Sequence, residues 1–161
     1  MKNRFFDVDN NVYLNSLYII TLMIYQKESD SIERMMLELY LLKNPRVFLD
    51  IVAKYDLRID KSILFGFQHD NLQSEMLKYS LRLHIDGFYE ALSYLFSKGL
   101  INYDSKQNSI TKTDLFTEIN HMELPENIKG LADIINKLFD NIGTENLKKS
   151  IESIERGYYG Q

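Results

Sequence analysis

His69, His84 and His121 are the residues of this chain best suited to metal or proton chemistry, and their placement in the sequence favours neither. Two ligands on one helix face need His-x-x-x-His or His-x-x-Glu-His spacing, which does not occur. Cysteine is absent, which removes disulfides, thiolate metal sites and cysteine nucleophiles and fits a reducing compartment. His69-Asp70 and His84-x-Asp86 could each hydrogen bond, but a nucleophilic triad also needs a poised serine and oxyanion donors, and no Gly-x-Ser-x-Gly elbow is present. The histidines therefore read as ordinary surface or capping residues. Asp7-x-Asp9-x-Asn11 copies the first three ligand positions of a calcium loop, but Val12 and Tyr18 stand where that loop requires Gly and Glu. The seven glycines are single, with neither Gly-x-Gly-x-x-Gly nor a Gly-Lys-Ser/Thr ending to cradle a phosphate. Glu152 and Glu155 share a helix with Lys148, Lys149 and Arg156, where surface ion pairing accounts for them. The expectation is a protein with no catalytic residue, no metal, no cofactor and no small-molecule substrate.

The chain of 161 residues suits one domain, expected over 1–157 with a flexible tail at 158–161. A chain this long buries roughly 68–70% of the surface its unfolded form exposes. Hydrophobic residues make up 45% and charged residues 26%, a globular balance, and two prolines leave room for long helices. Met1-Lys2-Asn3-Arg4-Phe5-Phe6-Asp7 is charged and polar, so no signal peptide is expected, and the most apolar stretch, residues 17–25, is far short of the ~18 residues a membrane span needs. A cytoplasmic protein with no membrane contact is expected.

The helical periodicity is strong. Residues 12–27 are apolar nearly all round, as in a buried central helix. Asp30, with Glu33 three residues on, has capping-box spacing ahead of Ile32, Met35, Met36, Leu39 and Leu42. Asn44-Pro45 closes that helix and opens the next, with Val47, Phe48, Ile51 and Val52 as its stripe. Residues 57–71 read as an irregular connection with room for a short strand, and 72–79 as a short helix. Ile85, Phe88, Tyr89, Leu92, Leu95 and Phe96 then mark a helix stopped at Lys98-Gly99. Two short β-prone runs around the turn at residues 104–108 predict a hairpin, and Thr113 or Asp114 caps a short helix after it. Pro125 opens and Gly143 ends a helix with strict spacing from Ile128 to Ile142, and Thr144 caps a final helix carrying Leu147, Ile151 and Ile154. The fold class is mainly α, a compact helical domain containing a winged-helix-like unit at about 72–113 with one short β-hairpin.

A winged helix that reads DNA presents Arg, Lys, Asn or Gln to base edges. Here the helix before the hairpin carries Asp86 and Glu90 against Lys98, its other exposed positions are expected at Gly87, Ser93 and Ser97, and the hairpin offers only Lys106 and Lys112 against Asp104. With a net charge of −4, the whole molecule does not attract nucleic acid either. Protein contact is the better use of this fold, and a winged-helix transcription regulator is the alternative. Flexible thioethers and amphipathic rings suit interfaces, though ordinary core packing also accounts for them. The residues expected at a protein interface are Tyr13, Tyr18, Met35, Met36, Tyr40, Phe65 and Phe67.

Three hydrophobic stretches are shared with a known group: Tyr13-Leu14-Asn15-Ser16-Leu17-Tyr18-Ile19-Ile20, then Ile32 through Leu42 with Pro45 after it, and Gly87 through Ile101. Through them the chain resembles the middle component of bacterial ABC-three-component systems, the group that includes the middle subunit of Lamassu anti-phage defence. The resemblance covers residues 11–141. It implies a non-enzymatic subunit that bridges an SMC-like or ABC-type ATPase and an effector protein, touching DNA only indirectly through the complex. It supplies no catalytic residue. Residues 57–73 lack the basic and acidic pattern expected before the winged helix.

Overall fold

A computed structural model describes residues 11–26, 29–60, 62, 80–119 and 125–159, with side chains for all of these except 29, 80–83 and 159. The protein is mainly α, with a small antiparallel sheet. Helix α1 (Val12–Tyr25) starts where Asn11 Oδ1 accepts the Leu14 N–H at 3.1 Å. Its all-round apolar sequence places it against both the later helix α4 (Ser80–Ser97) and helix α6 (Glu126–Ile142), with Ile19, Leu22 and Met23 buried. Where α1 meets α4, Asn15 and Ser16 donate to the carbonyls of Gly87 and Ala91, both at 3.5 Å. Gly87 is buried there, not exposed as its place on the helix led us to expect.

Strand β1 (Ser29–Ser31) leads into α2 (Ile32–Lys43). The cap of α2 is Ser31, whose Oγ accepts the Arg34 N–H at 3.1 Å, and not Asp30 as its spacing to Glu33 predicts. Asp30 is held one residue earlier, accepting from Ser31 N at 2.8 Å and pairing with Arg34 at 3.0 Å. Glu33 reaches away to Lys148, at 2.5 Å. Ser31→Ala should therefore lower stability by about 0.5–2 kcal/mol in chemical denaturation, whereas loss of a merely exposed serine would fall within about 0.5 kcal/mol.

Helix α3 (Pro45–Lys54) has proline at its first position, as predicted, and α4 ends at Gly99, whose φ of 69° lets its N–H reach Phe96 O at 2.9 Å while Leu100 N reaches Leu95 O at 3.1 Å. The hairpin follows at once as β2 (Ile101–Asp104) and β3 (Ser109–Lys112). Thr113 joins its end to the helix before it, donating to Gly99 O at 2.7 Å and accepting from Phe116 N at 3.3 Å to open α5 (Asp114–Ile119). Helix α6 packs on α1 and α2, helix α7 (Thr144–Tyr159) packs on α3, α6 and α2, and the largest fully buried side chains, Tyr40, Phe48, Phe88, Phe116 and Phe139, come from five different helices. Each such side chain stabilises the fold by roughly 1.5–3 kcal/mol relative to exposure.

Two expected boundaries need correction. The hairpin is not alone: β1 pairs with β3, Asp30 opposite Ile110, giving the order β1-β3-β2. The winged-helix-like unit therefore draws on residues long before 72, with α1, β1 and α2 supplying its first half. Ser29-Asp30-Ser31 has neither the length nor the side chains of a predictable strand; it is an edge formed by its neighbour. Helix α7 runs to Tyr159, so the first two residues of the tail expected at 158–161 are helical, and residues 160 and 161 lie outside the described residues. Tyr158 donates its hydroxyl to Asp50 and packs its ring under Arg46, 4.8 Å from the centroid, which fixes the last turn to α3. The short helix expected at 72–79 lies outside the described residues.

Candidate functional site

Helix α4 has two apolar faces. Phe88, Ala91 and Leu95 point into the core. Successive residues on a helix are about 100° apart, so Tyr89, Ser93 and Phe96, at spacing i, i+4, i+7, fall on a second face turned away from it. The hairpin lies alongside. In the register Tyr103 opposite Ile110 and Ile101 opposite Lys112, Ile101, Tyr103 and Ile110 share one side of the sheet. Between these walls runs a groove of about 400 Å³, lined by Tyr89, Leu92, Ser93, Phe96, Ile101, Tyr103 and Ile110 together with Ile32 of α2. Phe96 is 58% exposed and Tyr89 and Tyr103 are 49% exposed, so three large rings stand in solvent around one cleft.

The charges near this face are few. Asp86 and Glu90 are exposed on the outer flank of α4, one turn from Tyr89 and Ser93. Lys98 is turned towards α1, its Nζ 5.4 Å from the Tyr94 ring centroid. Lys112 is drawn into the fold: its Nζ donates to Gln26 O at 2.8 Å, and burial lowers its pKa. Asp104 accepts from Lys106 N at 2.8 Å and so shapes its own turn.

The interface residues expected from sequence scatter. Tyr13 is 72% exposed and meets Tyr94 edge to face at 5.3 Å, on the α1 side of α4 and not in the groove. Tyr18 is half-buried, and burial raises its pKa. Met35 and Tyr40 are fully buried and so are core residues, a correction to their expected place at a surface. Tyr40 donates to Glu155 at 2.6 Å and lies 5.4 Å from the His84 ring. Met36 is half-buried against the core. Phe65 and Phe67 lie outside the described residues. Tyr89 and Phe96 were missed as surface residues because a stripe containing Phe88, Tyr89, Leu92, Leu95 and Phe96 is too wide for one helix face, and Tyr103 because a hairpin residue carries no such stripe.

A second cluster is polar and internal. Glu38 is fully buried, accepts from Gln26 Nε2 and pairs with Arg34 Nε at 2.8 Å. Arg34 also pairs with Asp140 at 2.8 Å, donates to Asn136 O at 3.3 Å and stacks 5.6 Å from the Phe139 ring centroid. The cluster thus ties the end of α1, β1, α2 and α6 together. Desolvation pushes the Glu38 carboxyl up to about 7, outweighing the pull of Arg34. Burial works against the Arg34 charge too, but its hydrogen bond to Glu38 prevails and its pKa is raised.

His84 is buried with its Nε2 3.1 Å from Met36 O, and desolvation followed by the nearby Lys43 charge lowers its pKa to about 4, so it is neutral. His69 and His121 lie outside the described residues. Among the described residues no three His, Cys, Asp or Glu side chains gather to hold a metal, and no helix is long and apolar enough to cross a membrane. The chain matches no protein-family model, no curated protein and no solved structure.

Proposed function

We propose that this protein is a non-enzymatic adaptor in the cytoplasm that bridges an SMC-like or ABC-type ATPase and an effector protein in a bacterial anti-phage defence complex. The observation that carries the reading is the character of the α4 and hairpin face: rings and aliphatic side chains surround a cleft flanked by Asp86 and Glu90. Desolvating aromatic side chains is how protein interfaces gain most of their energy, whereas duplex DNA demands cations facing phosphates. Of the hairpin lysines, Lys112 is committed to Gln26. The resemblance in the three hydrophobic stretches supplies the kind of complex, and the groove supplies a means of joining it.

Co-expression with an SMC-like or ABC-type ATPase and an effector protein taken from neighbouring genes, should the locus encode them, followed by size-exclusion chromatography with light scattering, tests this. The expected result is a stoichiometric complex containing all three chains. A monomer that elutes alone beside both would overturn the adaptor reading. The winged-helix topology keeps a DNA-binding regulator as the second reading, for which affinity for duplex DNA must fall steeply with salt as counterions are released. The expected result is no specific duplex binding at moderate salt by the isolated chain.

A further inference from the structure

The groove between α4 and the hairpin also constrains what it can receive. We infer that it is a receptor for an amphipathic α-helix of a partner protein, one whose apolar stripe is flanked on the α4 side by Lys or Arg. This rests on the adaptor reading and specifies its contact. Besides the phenol groups, the lining side chains offer only the Ser93 hydroxyl, and Tyr103 already donates its own hydroxyl to Asn108 at 3.2 Å. An extended peptide lying along the groove would turn backbone N–H and C=O groups onto Leu92, Phe96 and Ile110, whose side chains cannot satisfy them, and would find backbone partners only along the free edge of β2. A helix brings its backbone hydrogen bonds with it and presents side chains alone.

The flank sets the charge of the partner. Asp86 and Glu90 are exposed one turn apart on the wall of α4, and Lys98, just past the end of the helix, is turned to Tyr94. A basic residue beside the inserted stripe would meet both carboxylates, while an acidic one would be repelled. A second copy of this chain is a poor occupant. Outside the groove the exposed large apolar side chains among the described residues are Tyr13 on α1 and Leu115 on α5, single residues that make no helical stripe.

The test is selection from a random peptide library displayed on phage, using the full chain as bait and a Phe96→Asp variant for counter-selection. Phe96 is more than half exposed, so the variant should fold, and its circular dichroism and thermal unfolding check this. The expected peptides have apolar residues at i, i+3 or i+4, and i+7 and carry Lys or Arg to one side. The best of them, made synthetically, should gain helix on binding. It should bind Phe96→Asp at least about tenfold more weakly and the double variant Asp86→Lys, Glu90→Lys several-fold more weakly, with the second loss shrinking at high salt. Recovering no peptide that depends on Phe96, or only extended or acidic ones, would overturn the inference. So would a concentration-dependent dimer of the full chain that Phe96→Asp dissolves, since the occupant would then be a second copy. Either failure leaves a three-chain complex intact, so it is separable from failure of the adaptor reading.

Discussion

Arg34→Ala should cost the fold roughly 3–5 kcal/mol at pH 8, more than the removal of any other single charge among the described residues. The side chain is 15% exposed and serves Asp30, Glu38 and Asp140 together, at 3.0, 2.8 and 2.8 Å. Its loss would strand Glu38, whose side chain has no exposure and whose remaining partner is the Gln26 amide. An unpaired buried charge costs far more than a surface pair contributes, and surface pairs such as Lys149 with Glu145, both 68% exposed, should be worth no more than about 1 kcal/mol. Two readouts separate this account from lost packing against Phe139. The penalty should shrink as pH falls towards 6, because the stranded carboxyl takes up a proton, and Arg34→Ala combined with Glu38→Gln should recover part of it. Urea denaturation of the four species of that cycle measures both; a penalty that is constant from pH 8 to 6 would mean the charge at Glu38 is not its cause.

The same cluster shows how far the sequence could be read. Ile32, Met35, Leu39 and Leu42 have the period of a helix, and α2 is where that period predicts it. The helix breaks at Asn44-Pro45, Gly99 and Gly143 were legible because proline lacks a donor and the two glycines adopt φ of 69° and 88°, which other residues adopt at a cost. β1 was not legible, since three polar residues become a strand only when β3 lies beside them. Nor was the ion cluster: Glu38 is surrounded in sequence by Leu37 and Leu39, and Asp140, the α6 carboxylate that shares Arg34 with it, is 106 residues from Arg34.

The groove falls between these cases. Its walls are predictable elements, and a hairpin directly after Gly99 must fold back beside α4. Which aromatic side chains face solvent depends on the direction of the core, and that direction is set by α1 packing on Gly87 and Ala91. A projection of α4 around its axis separates Phe88, Ala91 and Leu95 from Tyr89, Ser93 and Phe96; the sequence held the signal, but a count of apolar positions merged the two sets. Met35 and Tyr40 were misplaced for the opposite reason. They resemble interface residues by type, yet α2 is enclosed by α1, α3, α4, α6 and α7, and Tyr40 meets its polar need internally at Glu155.

Glu38 and His84 should oppose one another in the dependence of stability on pH, and Glu38→Gln should reveal it. The folded-state pKa of Glu38 is raised from 4.5 to about 7, so the folded chain binds a proton that the unfolded chain has released, and stability falls as pH rises from 4.5 to 7. His84 has the reverse sign: its pKa is lowered from 6.5 to about 4, the unfolded chain binds the extra proton, and stability falls as pH drops from 6.5 to 4. Each shift corresponds to roughly 3 kcal/mol, so between pH 4.5 and 6.5 the two slopes nearly cancel, with desolvated Asp30 and Glu155, both raised, adding to the side of Glu38. The wild-type profile should be almost level there and decline from about 6.5 to 7. In Glu38→Gln the declining contribution is gone, so stability should climb by a few kcal/mol between pH 4 and 6.5 and stay level above. Denaturation midpoints taken across pH 4 to 8 measure the difference, and parallel profiles for the two proteins would show that Glu38 ionises alike in the folded and unfolded chain.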